Sequence, residues 1–156
     1  MKIRRSIAGL SLMALLTSVV GFSAVAYAQS FSDVDTDHWS YEYVEDLYAQ
    51  GVVEGYDDGT YGCDSTANRA EFSKMVALAF GFDTETEYDA GFSDVDAEAW
   101  YAPYVNTLAQ NGVVAGYTDA DGEATGEFGP TDTVNRAAAA KMLMLAGGLE
   151  EDVSFD

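Results

Sequence analysis

At 156 residues and a formal net charge of -20, with 27 acidic residues against seven lysines and arginines, the chain has no overall field that would draw it to nucleic acid or to an anionic membrane surface. Apolar residues at 48% and aromatics at 13% give it too much buriable surface for a disordered tail. One cysteine, Cys63, excludes an intramolecular disulfide.

Lys2, Arg4 and Arg5 precede an uncharged run from Ser6 to Ala28 that ends in Ala26-Tyr27-Ala28. This predicts a signal peptide over 1–28 with a small-x-small cleavage site; the alternative is an uncleaved membrane anchor, because the run is long enough to span. No cysteine follows it, which argues against a lipoprotein anchor. Without residues 1–28 the chain carries 27 acids against four bases, Arg69, Lys74, Arg136 and Lys141, a net of -23. Abundant acid with scarce lysine also suits a salty medium, where repulsion is screened over a Debye length of ~3 Å at 1 M.

The segment Phe31 to Tyr56 returns between Phe92 and Tyr117 at an offset of 61 residues. Phe-Ser-Asp-Val-Asp recurs unchanged, and Trp39, Tyr43, Val44, Leu47, Gly51, Val52, Val53, Gly55 and Tyr56 return as Trp100, Tyr104, Val105, Leu108, Gly112, Val113, Val114, Gly116 and Tyr117. The offset then grows to 67, matching Asn68-Arg69-Ala70 with Asn135-Arg136-Ala137, so the second loop holds six extra residues. One supersecondary unit is used twice, and neither copy is expected to bury its apolar face alone.

In each unit a first helix is predicted from about Ser40 to Gln50, with Trp39, Tyr43, Val44 and Leu47 gathered within about 140° of one another. Gly51 and Gly112 suit the left-handed position past a helix end, and Pro103 falls in a first turn, where its missing N–H costs little. A short apolar tie follows, Val52-Val53 or Val113-Val114, leading into a turn marked by Asp58-Gly59 in the first copy. The second helix begins after Asn68, with Glu71 completing a capping box. Phe72, Met75, Val76, Ala79 and Phe80 form its expected core stripe, with Ala139, Met142, Leu143 and Ala146 in the second copy. Ala138 replaces Glu71 there, so that start lacks the box.

On this wheel Lys74 faces solvent and Arg69 lies beside the apolar stripe. A cation at a helix N-terminus opposes the macrodipole by ~0.3–1 kcal/mol when exposed, so an anion is expected opposite Arg69 and Arg136. Either an internal carboxylate (Asp33, Asp58, Asp94 or Asp119) or an acidic ligand in a groove between the repeats would serve.

The ordered landmarks Phe-Ser-Asp-Val, Trp, Gly-Val-Val-x-Gly-Tyr, Asp-Gly-Thr-Tyr and Asn-Arg-Ala-Glu resemble the S-layer homology (SLH) repeat over Phe31 to Gly81 and Phe92 to Gly148. The resemblance implies a mainly α fold of tandem helix–loop–helix repeats with short extended ties, here an incomplete pseudo-trimer because two repeats stand where three are usual. It divides the chain into signal peptide 1–28, first repeat 29–84, linker 85–91, second repeat 92–148 and tail 149–156. It also implies a secreted protein held at the cell envelope or cell surface by acidic, often pyruvylated, cell-wall polysaccharide. The arginine of the family's Thr-Arg-Ala-Glu, which grips the sugar, carries over to Arg69 and Arg136. Trp39, Trp100, Gly55-Tyr56 and Gly116-Tyr117 match landmarks near the grooves. Asn68 and Asn135 depart from the family's Thr but keep the N-cap, Cys63 replaces the usual Pro, and the second loop, Thr118 to Phe128, has lost Asp-Gly-Thr.

Guanidinium is a fork-shaped donor matched to a carboxylate, and Trp or Tyr offers a flat apolar face with a polar edge, so the residue chemistry agrees with an acidic glycan. An alternative is an assembly module whose repeats complete a pseudo-trimer with a second copy or another SLH protein. A third is an acidic, calcium-responsive surface protein. Asp33-x-Asp35-x-Asp37 imitates the start of a calcium loop but has His38 and Val44 where Gly and Glu are needed, so no metal site and no cofactor are assigned. His38 is the only imidazole and is expected to face solvent; no carboxylate pair is singled out, and the chain is read as non-enzymatic. Cys63 is either a small buried thiol or the means of an intermolecular disulfide.

Overall fold

The computed structural model describes residues 29–149; the expected signal peptide and nearly all of the expected tail lie outside the described residues. Four helices follow one another: α1 (Tyr41–Ala49), α2 (Arg69–Ala79), α3 (Ala102–Gln110) and α4 (Arg136–Ala146). Among the described residues there is no strand, only isolated bridges pairing Asn68 with Thr133 and Thr118 with Ala124. The mainly α reading holds.

The helix ends form for the local reasons the sequence supplies. Asn68 accepts the amide of Glu71 at 2.8 Å, and Glu71 in return accepts the amide of Asn68 at 2.9 Å, so two otherwise orphaned donors are satisfied. At α4, Asn135 accepts the amide of Ala138 at 2.9 Å, but alanine has nothing to return. Gly51 and Gly112 both sit at φ 71°, where a Cβ would be strained. They let Val52 and Val113 donate back to the carbonyls of Leu47 and Leu108, at 2.9 and 2.8 Å, which closes α1 and α3 with Schellman-type caps.

The larger core cluster spans both repeats. Helix α2 of the first repeat packs against α3 and α4 of the second, and Val76 and Ala77 join Val105, Leu108, Val113, Val114, Phe128 and Met142 in one cluster. A smaller cluster of Phe31, Val34 and Val44 sits under the first repeat. The start of α2 is also stitched to the loop before α4: the amides of Arg69 and Ala70 donate to the carbonyls of Asp132 and Pro130 at 2.9 and 3.0 Å. Neither repeat closes its core unaided, as the internal duplication requires.

The buried face of α2 differs from the expected stripe. Ala70, Ser73, Val76 and Ala77 are buried, whereas Ala79 and Phe80 are exposed and Phe72 and Met75 half-buried. The buried arc is turned by about 100° because α2 is covered from two directions, and small residues there let the neighbouring helices approach. The Ser73 hydroxyl is satisfied by donating to the Arg69 carbonyl at 2.8 Å. The expected stripe of the first repeat is corrected too: Trp39 and Tyr43 are exposed, because no described helix covers α1 as α2 covers α3.

Candidate functional site

The aspartates of the two Phe-Ser-Asp-Val segments do not meet the arginines. Asp33 accepts the amides of Tyr61 and Gly62 at 2.7 Å each and that of Cys63 at 3.3 Å. Asp94 accepts those of Phe128 and Gly129 at 2.7 Å. Each carboxylate thus folds the later loop of its repeat back over the start. Hydrogen bonding from the Tyr61 amide, outweighing the desolvation of the group, holds the Asp33 carboxyl below its ordinary 3.8. Asp58 is lowered likewise, chiefly by the Thr60 hydroxyl.

Gly55 and Gly116 have an internal task. A Cβ on Gly55 would strike the Phe31 ring and lie 2.6 Å from the Thr60 carbonyl oxygen, and one on Gly116 would lie 2.6 Å from the Glu127 carbonyl oxygen and 2.9 Å from the Phe92 ring. Their tyrosines turn outward. The Tyr56 hydroxyl donates to Glu71 at 3.3 Å and the Tyr117 hydroxyl to Asp132 at 3.0 Å. Burial, then the adjoining carboxylate, pushes both phenols up.

Arg69 crosses from the first repeat into the second and finds neutral acceptors. Its Nε donates to the Phe128 carbonyl at 2.8 Å and an Nη to the Ala115 carbonyl at 3.2 Å. The guanidinium carbon lies 4.5 Å from the Phe128 ring centre and 4.9 Å from that of Tyr117. No carboxylate compensates its charge within ion-pair distance, since among the described residues the one ion pair is Lys74 to Glu54, at 2.7 Å. Arg136 is exposed and meets no acceptor among the described residues.

The cation that faces a cleft is Lys74, which corrects its expected solvent-facing position. A groove of about 720 Å³ opens on the first repeat, lined by Gly55, Tyr56, Tyr61, Cys63 and Lys74 among others, and Trp100 of the second repeat borders it. The Lys74 ammonium lies 5.9 Å from the ring centres of both Trp100 and Tyr104, close enough for cation–π attraction. A helix wheel centred on the larger apolar residues misplaces it; the recurrence of one lysine per repeat, Lys74 and Lys141, is the signal in the sequence that could have found it. Thus Gly55, Tyr56 and Trp100 come together at one groove, Arg69 and Tyr117 stand together at another part of the repeat junction, and Trp39 and Arg136 stand apart.

The half-buried Cys63 thiol is free and borders the same groove. His38 is half-buried rather than solvent-facing, its Nδ1 sharing a hydrogen bond with the Ser40 hydroxyl at 2.8 Å. In the second loop, Asp119 accepts the amides of Asp121 and Glu123, both at 2.9 Å, and the Thr118–Ala124 bridge makes a small hairpin of the extra residues. Below it the Tyr117 amide still donates to the Glu127 carbonyl at 2.8 Å, as that of Tyr56 does to Thr60. Among the described residues no three His, Cys or acidic side chains converge on a point where a metal ion could sit, and no helix is long and apolar enough to cross a membrane.

Residues 30–73 and 91–140 match the S-layer homology domain. The chain is 29% identical over 152 residues to an S-layer protein of Bacillus thuringiensis subsp. finitimus, covering 97% of this chain and 17% of that protein. It is 31% identical over 149 residues to the middle cell wall protein of Brevibacillus brevis, covering 92% and 13%. An endoglucanase of Bacillus sp. (strain KSM-635) is 29% identical over 156 residues, covering 94% and 16%. This chain therefore spans well under a fifth of the length of each of these relatives. Two matched segments, each with its own helix pair, its Asp-held loop and its Gly-Tyr turn, make the chain a member of the S-layer homology domain family.

Proposed function

We propose that this protein is a non-catalytic anchoring module at the cell surface that binds acidic cell-wall polysaccharide in the groove that Lys74 lines and Trp100 borders. Family membership and likeness to S-layer and cell wall proteins support the anchoring role. The ligand reading is carried by one observation: Lys74 of the first repeat and Trp100 of the second meet over a single open cleft. A sugar ring has an apolar face to lay on indole and an edge of hydroxyls for Tyr56 and Glu71. An acidic substituent such as a pyruvyl carboxylate would take the ammonium, which has three donors and spends one on the highly exposed Glu54. Arg69 keeps the repeats in register beside this groove, and in this reading Arg136 is a second cation open to an anionic ligand.

The test is cosedimentation with purified wall polysaccharide. Retention is expected to fall at least ten-fold for Lys74→Ala combined with Trp100→Ala, with an unchanged far-UV circular dichroism spectrum showing that the variant is still folded. Equal retention by parent and double variant would sink the reading.

A further inference from the structure

Lys74 is the one cation among the described residues that line the groove, and a carboxylate of the same chain already stands on it. Its ammonium lies 2.7 Å from Oε2 of Glu54, and both residues line the groove. The two ends of this pair are not equally fixed: the Lys74 side chain is 21% exposed and that of Glu54 70%. Lys74 is steadied by the rings of Trp100 and Tyr104, each centred 5.9 Å from the ammonium. Glu54 reaches it from the solvent side, side chain to side chain across 20 residues. A pair exposed to that degree is weak, in contrast to Asp33 and Asp94, whose carboxylates are held by backbone amides.

The duplication indicates that the repeat does not need this acid to fold. Under the offset of 61 Glu54 corresponds to Ala115, and under the offset of 67 Lys74 corresponds to Lys141. The Gly-Tyr turn of the second repeat forms with alanine in that place, its Tyr117 amide donating to Glu127 as the Tyr56 amide donates to Thr60. The groove, however, feels the acid: Glu54, Asp57 and Glu71 set three carboxylates around one ammonium. Glu71 is tied by the Asn68 amide and the Tyr56 hydroxyl, so it stays in place. An anion arriving beside all three carboxylates would be repelled, whereas one that takes the place of Glu54 on the ammonium is not asked to share it.

We propose that Glu54 is an internal counter-ion standing where the acidic group of the ligand is received, and that binding exchanges one carboxylate for the other on Lys74. This rests on the reading of the groove as a glycan site. The exchange sets a threshold. A neutral sugar has no charge with which to displace Glu54 and leaves the pair intact. A small free anion has no ring to lay on Trp100, so nothing offsets the loss of the internal pair. A saccharide that carries its own carboxylate supplies both the ring and the charge.

Cosedimentation with two probes tests this: purified wall polysaccharide, and the same polymer with its carboxyl groups reduced to alcohols. Glu54→Gln, which keeps the shape and removes the charge, is expected to retain about two- to five-fold more of the acidic polymer than the parent does. The reduced polymer is expected to bind parent and variant alike. Asp121→Asn makes the same change of net charge on the second-loop hairpin and is expected to bring no gain. Far-UV circular dichroism checks that each variant is folded. Equal or weaker retention of the acidic polymer by Glu54→Gln overturns the proposal, since Glu54 would then be holding Lys74 in position rather than competing for it. So does an equal gain on both polymers, or an equal gain from Asp121→Asn. Lys74→Ala with Trp100→Ala, run alongside, separates the two failures: if that variant loses retention while Glu54→Gln gains none, the counter-ion role alone falls, and if it binds like the parent, the groove reading falls and this inference with it.

Discussion

The Nε of Arg69 donates to the carbonyl oxygen of Phe128 at 2.8 Å, across 59 residues and from one repeat into the next. Hydrogen bonds from a charged donor contribute about 1.5–3 kcal/mol each where solvent is partly excluded, and here two of them are joined by contact with two rings. Arg69→Ala is therefore expected to lower the melting temperature by several degrees, whereas Arg136→Ala, which breaks no hydrogen bond or ion pair among the described residues, changes it by less than about one degree. A thermal melt of the two variants side by side measures the difference. Equal shifts would show that the tie across the repeats carries no stability.

Acid titration should report on Asp33. Its carboxyl is held below the ordinary 3.8 by the Tyr61 amide and its neighbours, so as the pH falls past about 3.8 the unfolded chain takes up this proton before the folded one does. The stabilisation is full above the unfolded value and is lost as pH falls through the lower folded value. The melting temperature is expected to fall as the pH drops below about 3.8, and Asp33→Asn should flatten that part of the curve while lowering stability at pH 7.

Two glycines at nearly the same backbone angle separate strain from collision. Gly51 has φ 71° and open space within 4 Å of the point a Cβ would occupy, while Gly55 has φ 73° and the Phe31 ring in the way. Gly51→Ala is expected to cost about 1–2 kcal/mol from the left-handed backbone alone. Gly55→Ala adds overpacking of about 1–3 kcal/mol, so its denaturation midpoint should fall clearly further.

Ala138→Glu restores to α4 the reciprocal cap that Glu71 provides to α2. A gain of about 0.5–1 kcal/mol is expected, with Glu71→Ala losing a similar amount from α2. Hydrogen exchange of the first-turn amides of α4 would show the change locally, as slower exchange in Ala138→Glu.

The helix ends are legible in the sequence because they depend on residues within a few positions: Asn68 and Asn135 as caps, Gly51 and Gly112 as stops, and the missing box at Ala138. The duplication also announces that the repeats must share a core. What local periodicity does not supply is direction. A wheel drawn through Phe72, Met75 and Phe80 follows the bulkiest residues, whereas α2 is buried along Ser73 and Ala77, where two helices come close. The wheel rightly sets Arg69 beside the apolar side, yet the partners of this guanidinium are carbonyls of Ala115 and Phe128, distant in sequence and invisible as charges. The same wheel turns Lys74 into solvent, because it does not anticipate the rotation of the buried arc that brings this side chain to the edge of the groove.

The hairpin made by the extra residues of the second loop leaves the Tyr117–Glu127 closure beneath it intact. Chain length at this turn is accordingly decoupled from the helical framework: an epitope or affinity tag spliced between Asp121 and Gly122 would hang from a sealed base, giving a handle for immobilising the protein that spares the groove at Trp100.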